Sequence, residues 1–364
     1  MPGGRIAQEG ARIILLAPAG SDPLYYELGV AGEPVQREIE SACTRCGVGL
    51  ESFVFSYESG YLNLYRPGST RAEKLPDDHL VLGYIVIAVI PDFLPEDLIV
   101  RLADTRTPSA IIDIAGIPRI PLGMTANQYI QFFTMSAGST PGVHVARFLK
   151  NLGHKRIAWI SPYHKSEWSR QRLKGLQSLY PGSERSPGVY CLSIEKILPS
   201  YYAATSIPPH HTQKLDNFFR SWARDIADIP RAYFDEQKSE FARNALDYTE
   251  MLAALVPLFE RLLKQRTITA WVAANDYVAD MAYRFLRYKK IAIPARISLA
   301  GFDDTDLSLR RGITSYNFNA AALANAAASF CLDFSAKGKS ARGVVEIEGR
   351  MTVRATTGRP SAQS

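Results

Sequence analysis

Short apolar runs rich in β-branched residues alternate along this chain with longer segments whose apolar residues recur at helical spacing. This alternation predicts an α/β fold in which helices cover a mostly parallel sheet. The predicted strands are residues 12–17, 51–55, 83–90, 110–114, 156–160, 269–273, 297–300, 344–347 and 351–354. The predicted helices are residues 32–46, 95–104, 141–152, 169–180, 213–264, 276–288 and 320–334, the sixth of them capped by Asp276. Residues 57–78 show no apolar period and are expected to form a loop.

Length and composition narrow the class of protein. The chain has 364 residues, of which 46% are apolar and 21% charged. At about 100 to 200 residues per domain, this length corresponds to two domains or two large lobes. Disordered, collagen-like and disulfide-rich chains are excluded by the composition. The chain contains no run of about 18 apolar residues, so no transmembrane helix is predicted. Its first residues also lack the basic and then apolar pattern of a secretory signal peptide. We therefore expect a cytoplasmic protein with no membrane partner.

The positive charge lies in the second half of the chain. The formal net charge is +6, with 14 Lys and Arg against 16 Asp and Glu in residues 1–160, and 28 against 20 in residues 161–364. Concentrated basic charge would favour direct binding to nucleic acid. The basic residues are instead spread over several predicted elements, as at 289–290 and 310–311. A solvated surface is therefore the favoured interpretation, with direct DNA binding as an alternative.

Signals for catalysis, metals and cofactors are weak. Cys43 and Cys46 form one CxxC pair, but a zinc site normally needs a second pair of ligands. We therefore predict reduced cysteines, no metal and no cofactor. The chain has no GxSxG, Walker A or GxGxxG motif after a predicted strand. These observations favour a binding protein over an enzyme.

Polar side chains that directly follow strands are the candidate ligand contacts. In open α/β sheets, ligands bind beyond the carboxyl ends of the strands. Arg172, Asn275 and Asp303 each lie shortly after a predicted strand. A guanidinium, an amide and a carboxylate beside aromatic rings suit the hydroxyl groups and the apolar face of a sugar. Each residue also has a structural interpretation: a solvated helix charge, a helix cap and a turn, respectively.

Four segments, in order, resemble motifs of the LacI/GalR family of bacterial transcription regulators. They are VARFLKNLGHKRIAWISP, SRQRLKGLQSL, TAWVAANDYVADMAYRFLRYKKIAIPARISLAGFDDTDLS and EGRMTVRATTGRP. Together they cover most of Val145 to Pro360, and the joint match is specific although each motif alone is weak. Similarity within residues 11–140 is limited mainly to the placement of strands.

The resemblance implies a type I periplasmic-binding-protein-like fold. Two doubly wound parallel-sheet lobes would be joined by three crossovers. The predicted N-terminal lobe comprises 11–161 and 319–339. The predicted C-terminal lobe comprises 162–318 and 340–358. Between Gly175 and Asn275 lie 99 residues, more than the family usually has there, so an insertion is expected at about 181–247.

The resemblance also implies an effector site between the lobes. By motif, the contacts are Arg172, Asn275 and Asp303. By place alone, residues 19–22 of the first lobe, including Ser21 and Asp22, would also contact the ligand. Trp168, Phe318 and Tyr163 are further candidates for the cleft, although core or rim packing would also explain them. Family members often carry an acid in the stretch matching 136–140, and this chain has none there, which weighs against a standard hexose pose.

The sequence therefore predicts an effector-sensing and dimerising module of a LacI/GalR-like regulator. The expected effector is a carbohydrate or a nucleoside-like molecule, and the expected partner is a second copy of the chain. Family members have a helix-turn-helix before the first strand, which here begins at about residue 12. Operator DNA is thus expected to bind only through a domain absent from this chain. The alternatives are a solute-binding protein of a sugar transport system and a sugar-modifying enzyme.

Overall fold

The computed structural model describes residues 9–19, 28–58, 61–88, 96–114, 120, 123–135, 138–164, 166–182, 188–191, 251–252, 255–337 and 343–361. These residues form two sheets. The first has the order β13-β7-β6-β5-β1-β2-β3-β4. Its strands are β1 (Arg12–Pro18), β2 (Gly49–Glu58), β3 (Tyr61–Tyr65), β4 (Ala72–Glu73), β5 (Val81–Ala88), β6 (Ser109–Asp113), β7 (Ile130–Met135) and β13 (Val344–Ile347). The central strands pair in parallel, while β3 and β4 extend one edge in antiparallel fashion.

The second sheet has the order β14-β12-β11-β10-β8-β9. Its strands are β8 (Ile157–Ile160), β9 (Val189–Cys191), β10 (Ala270–Ala273), β11 (Ser298–Phe302), β12 (Thr314–Asn317) and β14 (Arg350–Thr352). All of its pairs are parallel except β12 with β14. The central strands are fully buried, as expected of a parallel sheet covered on both faces.

Helices cover both faces of each sheet. They are α1 (Gly29–Arg45), α2 (Glu96–Asp104), α3 (Thr140–Asn151), α4 (Glu167–Leu179), α5 (residues 255–263), α6 (Asp276–Tyr288), α7 (Asp306–Arg311) and α8 (Ala320–Lys337), with a short 3-10 helix at Met124–Ala126. Helices α1 and α8 pack on one face of the first sheet and α2 on the other. Helices α5 and α6 pack on one face of the second sheet, and α3 and α4 on the other. Each lobe is therefore doubly wound, as predicted.

The chain passes between the two sheets three times. It leaves the first sheet after β7, returns after β12, and leaves again after β13. This topology differs from the predicted lobe boundaries at two places. Strand β8 lies in the second sheet, although the boundary at 161 assigned it to the first lobe, and β13 lies in the first sheet, although 340–358 were assigned to the second. Sheet membership depends on the pairing partner, which an apolar run does not specify.

Several elements differ from those predicted. The expected loop at 57–78 contains β3, which pairs with β2, and the short β4. Leu62 and Leu64 alternate with less buried residues in β3, so the period is that of a strand. The sequence interpretation also missed β7, α7, β9 and β12. Most of the predicted insertion, 181–247, and of the long helical region, 213–264, lies outside the described residues.

Two glycines hold α3 and α4 in close contact. A Cβ atom at Gly142 would lie 2.0 Å from the carbonyl oxygen of Arg172, and one at Gly175 would lie 2.1 Å from that of Ser139. Real side chains do not approach backbone atoms so closely, so only glycine fits at either position. Because α3 directly follows the first crossing, this contact joins the crossing to the helix that carries Arg172.

Candidate functional site

The carboxyl ends of β8, β10 and β11 form one edge of the second sheet. Trp168 and Arg172 on α4 follow β8, Asn275 follows β10, and Asp303 follows β11. Parallel pairing places these strand ends side by side. Phe318, in the crossing after β12, packs against the cores of both lobes. The structure thus brings candidate residues from four separate segments to one edge.

Arg172 is the centre of this site. Its Nη1 donates a hydrogen bond to the carbonyl oxygen of Ala274 at 2.6 Å, and its Nη2 donates to Asp303 Oδ1 at 3.2 Å. The Arg172 side chain is only 12% exposed and that of Asp303 17%. Burial lowers the pKa of Arg172, and the charge of Asp303 opposes this shift. Burial likewise raises the pKa of Asp303, and Arg172 opposes it. The pair is thus largely removed from solvent, and its charges compensate each other.

Three aromatic rings surround the Arg172 guanidinium. Its Cζ lies 4.6 Å from the ring centroid of Trp168, 4.7 Å from that of Phe302 and 4.8 Å from that of Phe318. These distances are within the range of cation–π attraction. Trp168 in turn lies 5.2 Å from Tyr163, measured between ring centroids. The rings therefore fix the position of the guanidinium and provide apolar surface beside it.

The two aspartates after β11 have different surroundings. Both have left-handed backbone, with φ of +96° at Asp303 and +51° at Asp304, a conformation that is uncommon outside glycine. Asp304 turns away from Arg172 and accepts hydrogen bonds from Asn317 at 2.8 Å and Thr352 at 2.9 Å, and it pairs with Arg354 at 2.6 Å. Although burial opposes the shift, these partners lower the pKa of Asp304. Asp304 thus connects β12 to β14, and of the two aspartates only Asp303 contacts Arg172.

Asn275 caps the helix that follows it. Its Oδ1 accepts a hydrogen bond from the backbone nitrogen of Val278 at 3.0 Å. The prediction that Asp276 is the cap was wrong, because Asp276 is the first helical residue and its side chain is buried elsewhere. Burial raises the pKa of the nearby Tyr163 hydroxyl, and a hydrogen bond with Asn275 opposes this. Asn275 therefore lies at the edge of the site and also caps the helix, which is the structural role expected from the sequence.

A cavity of about 240 Å³ lies between the lobes beside this cluster. Asp303 and Phe318 line it from the second lobe and the crossing. The other lining residues are Pro34, Glu38, Met135, Asp304, Asn317, Asn319, Ala320, Ala321 and Arg350. Apart from Asp304, which directly follows Asp303 after β11, none of them was a candidate from the sequence. Two of these residues could have been found from the sequence, because asparagines 317 and 319 lie between a strand and a helix, where ligand contacts are expected. Of the predicted first-lobe contacts, Ser21 and Asp22 lie outside the described residues, and Ala19 continues the pairing of β1 with β2.

Metal ligands do not cluster within the part of the chain that the structure describes: no group of three or more His, Cys, Asp or Glu could hold an ion there. Cys43 is buried, and its burial raises its pKa to about 11, whereas Cys46 is exposed. Among the described helices, none is long and apolar enough to cross a membrane.

Comparison with known proteins gives a family match and several structural neighbours. Residues 200–357 match the model of a periplasmic binding protein-like domain. No curated protein matches the chain in sequence. A LacI family transcriptional regulator from Enterococcus faecium with bound ribose is similar in structure, with a TM-score of 0.52 and 15% identity, covering 96% of this chain and 99% of that one.

Two further structural neighbours are also proteins of the LacI type. A regulatory protein of the LacI family from Chloroflexus aggregans has a TM-score of 0.54 and 12% identity, covering 95% of this chain and 98% of that one. A dimeric Lac repressor with an 11-residue C-terminal deletion has a TM-score of 0.51 and 15% identity, covering 96% and 99%. These neighbours are regulators rather than enzymes. The fold class and the resemblance to LacI/GalR effector-binding domains are thereby confirmed.

Proposed function

We propose that this chain is the ligand-sensing module of a LacI/GalR-like transcriptional regulator and binds a sugar-like effector between its lobes. The observation that carries the proposal is the buried Arg172–Asp303 pair, surrounded by aromatic rings at the edge where the two lobes meet. The Enterococcus faecium regulator of the same fold holds ribose. The neighbours named above are regulators, which favours sensing over solute transport or catalysis.

The charge balance of the site favours a neutral ligand. Asp303 compensates the charge of Arg172, so an anionic ligand would have to compete with a carboxylate that is already in place. A sugar hydroxyl can instead donate to Asp303 and accept from Arg172 at the same time. The apolar face of a sugar ring would pack on an aromatic side chain such as Phe318. The chemistry therefore favours a neutral polyol such as a pentose.

Signal transfer would use the three crossings. His144, the fifth residue of α3, lies 3.2 Å from Glu348 in the third crossing, measured between Nε2 and Oε1. Asn319, in the second crossing, donates to the backbone oxygen of Glu348 at 3.4 Å. These contacts link the second and third crossings to each other and to α3, the helix that follows the first crossing, so a movement at one crossing would be passed to its neighbours. The effector would shift the lobe arrangement by its difference in affinity between the two states.

Regulation of transcription would require a DNA-reading domain and a second copy of the chain. A symmetric homodimer would transmit the lobe movement to paired half-sites in operator DNA. In this proposal, the two lobes sense the effector and dimerise, and a separate domain reads the operator.

Isothermal titration calorimetry with pentoses, hexoses and nucleosides tests the proposal. If ribose or another member of the panel binds, Arg172→Ala should weaken binding about tenfold or more, since a hydrogen bond to a charged group contributes roughly 1.5–3 kcal/mol. Arg170→Ala is the matched control, because Arg170 lies on the same helix, is exposed and pairs with Glu167. The absence of any binder, or equal affinity of the Arg172→Ala variant and the wild type, would refute the proposal.

A further inference from the structure

Asp276 is a fully buried carboxylate that does not line the cleft cavity. Its Oδ2 accepts hydrogen bonds from the backbone nitrogen of Thr305 at 2.7 Å and from its Oγ1 at 3.2 Å. Its Oδ1 accepts from Ser315 Oγ at 2.7 Å. All three donors are neutral, so the carboxylate is held by hydrogen bonds rather than by an ion pair.

The three hydrogen bonds converge on the turn that presents Asp303. Thr305 directly follows the two left-handed residues. Ser315 accepts a hydrogen bond from the backbone nitrogen of Asp304 at 3.0 Å. Asp276 is thus bonded to the end of the turn and, through Ser315, to its middle. Two successive left-handed residues persist only when their surroundings hold them in place. Asp276 supplies part of that support, beside the side-chain partners of Asp304 and the bond from the Asp303 amide to the backbone oxygen of Tyr316 at 2.9 Å.

The packing around Asp276 is equally tight. A Cβ atom at Gly301 would lie 2.5 Å from Asp276 Oδ1. The end of strand β11, just before Asp303, therefore passes directly against the carboxylate. Because Asp276 contacts Gly301 and Thr305, a displacement of its side chain would shift both ends of the segment 301–305.

Helix capping alone does not explain a buried acid at this position. An acid in the first turn of a helix is favourable, but it has that effect equally well when it is exposed, and Asn275 already caps α6. Burying a carboxylate costs free energy unless it is well bonded, and here burial raises its pKa to about 7. Asp280, one turn later, is also buried but pairs with Arg284 and Arg311 at 2.7 and 2.8 Å. The two acids on one helix therefore have different roles.

We infer that Asp276 is a positioning residue for effector binding, which holds the turn at 303–305 so that Asp303 meets Arg172 without itself touching the ligand. The inference rests on the proposed function for its consequence in binding. The positioning of the turn is a property of the ligand-free chain and can be measured separately.

Hydrogen exchange on the ligand-free protein tests the positioning. In the Asp276→Ala variant, the backbone amides of Asp303 and Asp304 should exchange about tenfold faster or more, because local opening of the turn becomes easier. Asp280→Ala is the matched control and should leave these two amides unchanged. Equal protection of the amides in wild type and Asp276→Ala would overturn the inference.

A double-mutant cycle with D-ribose as the probe tests the consequence for binding. Asp276→Ala should weaken binding about tenfold in the wild-type background and less than about twofold in the Asp303→Ala background, because coupled residues are not additive. Equal losses in both backgrounds would overturn the inference. Asp276→Asn keeps an acceptor for Thr305 and a group that can bond to Ser315, so it should restore most of the affinity.

The two failures are distinguishable. If the wild-type chain does not bind ribose or any other sugar, the proposed function fails, and hydrogen exchange still decides whether Asp276 holds the turn. If Asp276→Ala does not fold, Asp276→Ser, whose shorter side chain cannot reach both Thr305 and Ser315, replaces it in the exchange measurement. Faster exchange of the turn than in Asp280→Ser is the supporting result, and no difference is the opposing one.

Discussion

The close contact between α3 and α4 can be tested by a single methyl group at Gly175. Its Cβ would lie 2.1 Å from the carbonyl oxygen of Ser139 and 2.7 Å from the backbone nitrogen of Val143. Ordinary contacts between carbon and carbonyl oxygen are about 3.3 Å or longer. Gly175→Ala therefore forces the two helices apart by roughly 1 Å. Neither contacted atom belongs to a flexible side chain that could move instead.

Two effects of Gly175→Ala oppose each other. Alanine stabilises a helix interior by about 1 kcal/mol relative to glycine. Overpacking costs typically 1–3 kcal/mol, and the upper part of that range applies because both contacts are with backbone. The net expectation is a loss of about 2 kcal/mol, which lowers the melting temperature by roughly 4–8 °C when one lobe of about 150–250 residues unfolds as a unit. The clash thus outweighs the gain in helix propensity.

Calorimetric or circular-dichroism melting of the Gly175→Ala variant measures this loss. Gly49→Ala is the control, because a Cβ at Gly49 would lie 3.4 Å from the nearest atom, Arg12 Cβ, and should change stability by less than about 1 kcal/mol. Since Arg172 lies on the displaced helix, Gly175→Ala should also weaken ribose binding more than Gly49→Ala does. A Gly175→Ala variant as stable as the wild type would refute the reasoning, since helix propensity would then outweigh packing.

Three further predictions follow from the described contacts. Burial lowers the pKa of His154 below its ordinary value of 6.5. Below about pH 6.5 the unfolded chain therefore binds a proton that the folded chain does not, and the free energy of unfolding falls as the pH drops. In urea unfolding from pH 5 to 8, His154→Gln should show a flatter dependence of this free energy on pH than the wild type, and parallel profiles would contradict this. Asp304→Ala leaves the largely buried Arg354 without its carboxylate partner and should cost about 3 kcal/mol in urea unfolding, a loss under about 1 kcal/mol being the opposing result. Alkylation followed by mass spectrometry should modify the exposed Cys46 well before the buried Cys43, whose pKa burial raises; equal rates would show that Cys43 is accessible.

Part of the candidate site could be predicted from strand order. Arg172 and Asp303 each follow a strand of the second sheet, and parallel pairing places such residues at one edge. Their direct contact confirms the placement, while their role in binding a sugar stays a prediction. The split between the two neighbouring aspartates was not predictable, because Asp304 pairs with Arg354, fifty residues later, and only the pairing of β12 with β14 brings them together.

The apolar pattern of the chain determined that helices alternate with buried parallel strands, and the ordered motifs determined the two-lobed fold, because local periodicity and strand ends depend on nearby residues. Only the tertiary structure decided which sheet β8 and β13 join, which helix contacts require glycine, and that Asp276 is buried beneath the turn of Asp303. The reason is that these properties depend on contacts between residues far apart in sequence. An aspartate at the start of a helix gives the same sequence pattern whether its side chain faces solvent or is bonded to a distant turn. Only the residues packed around it distinguish these two roles.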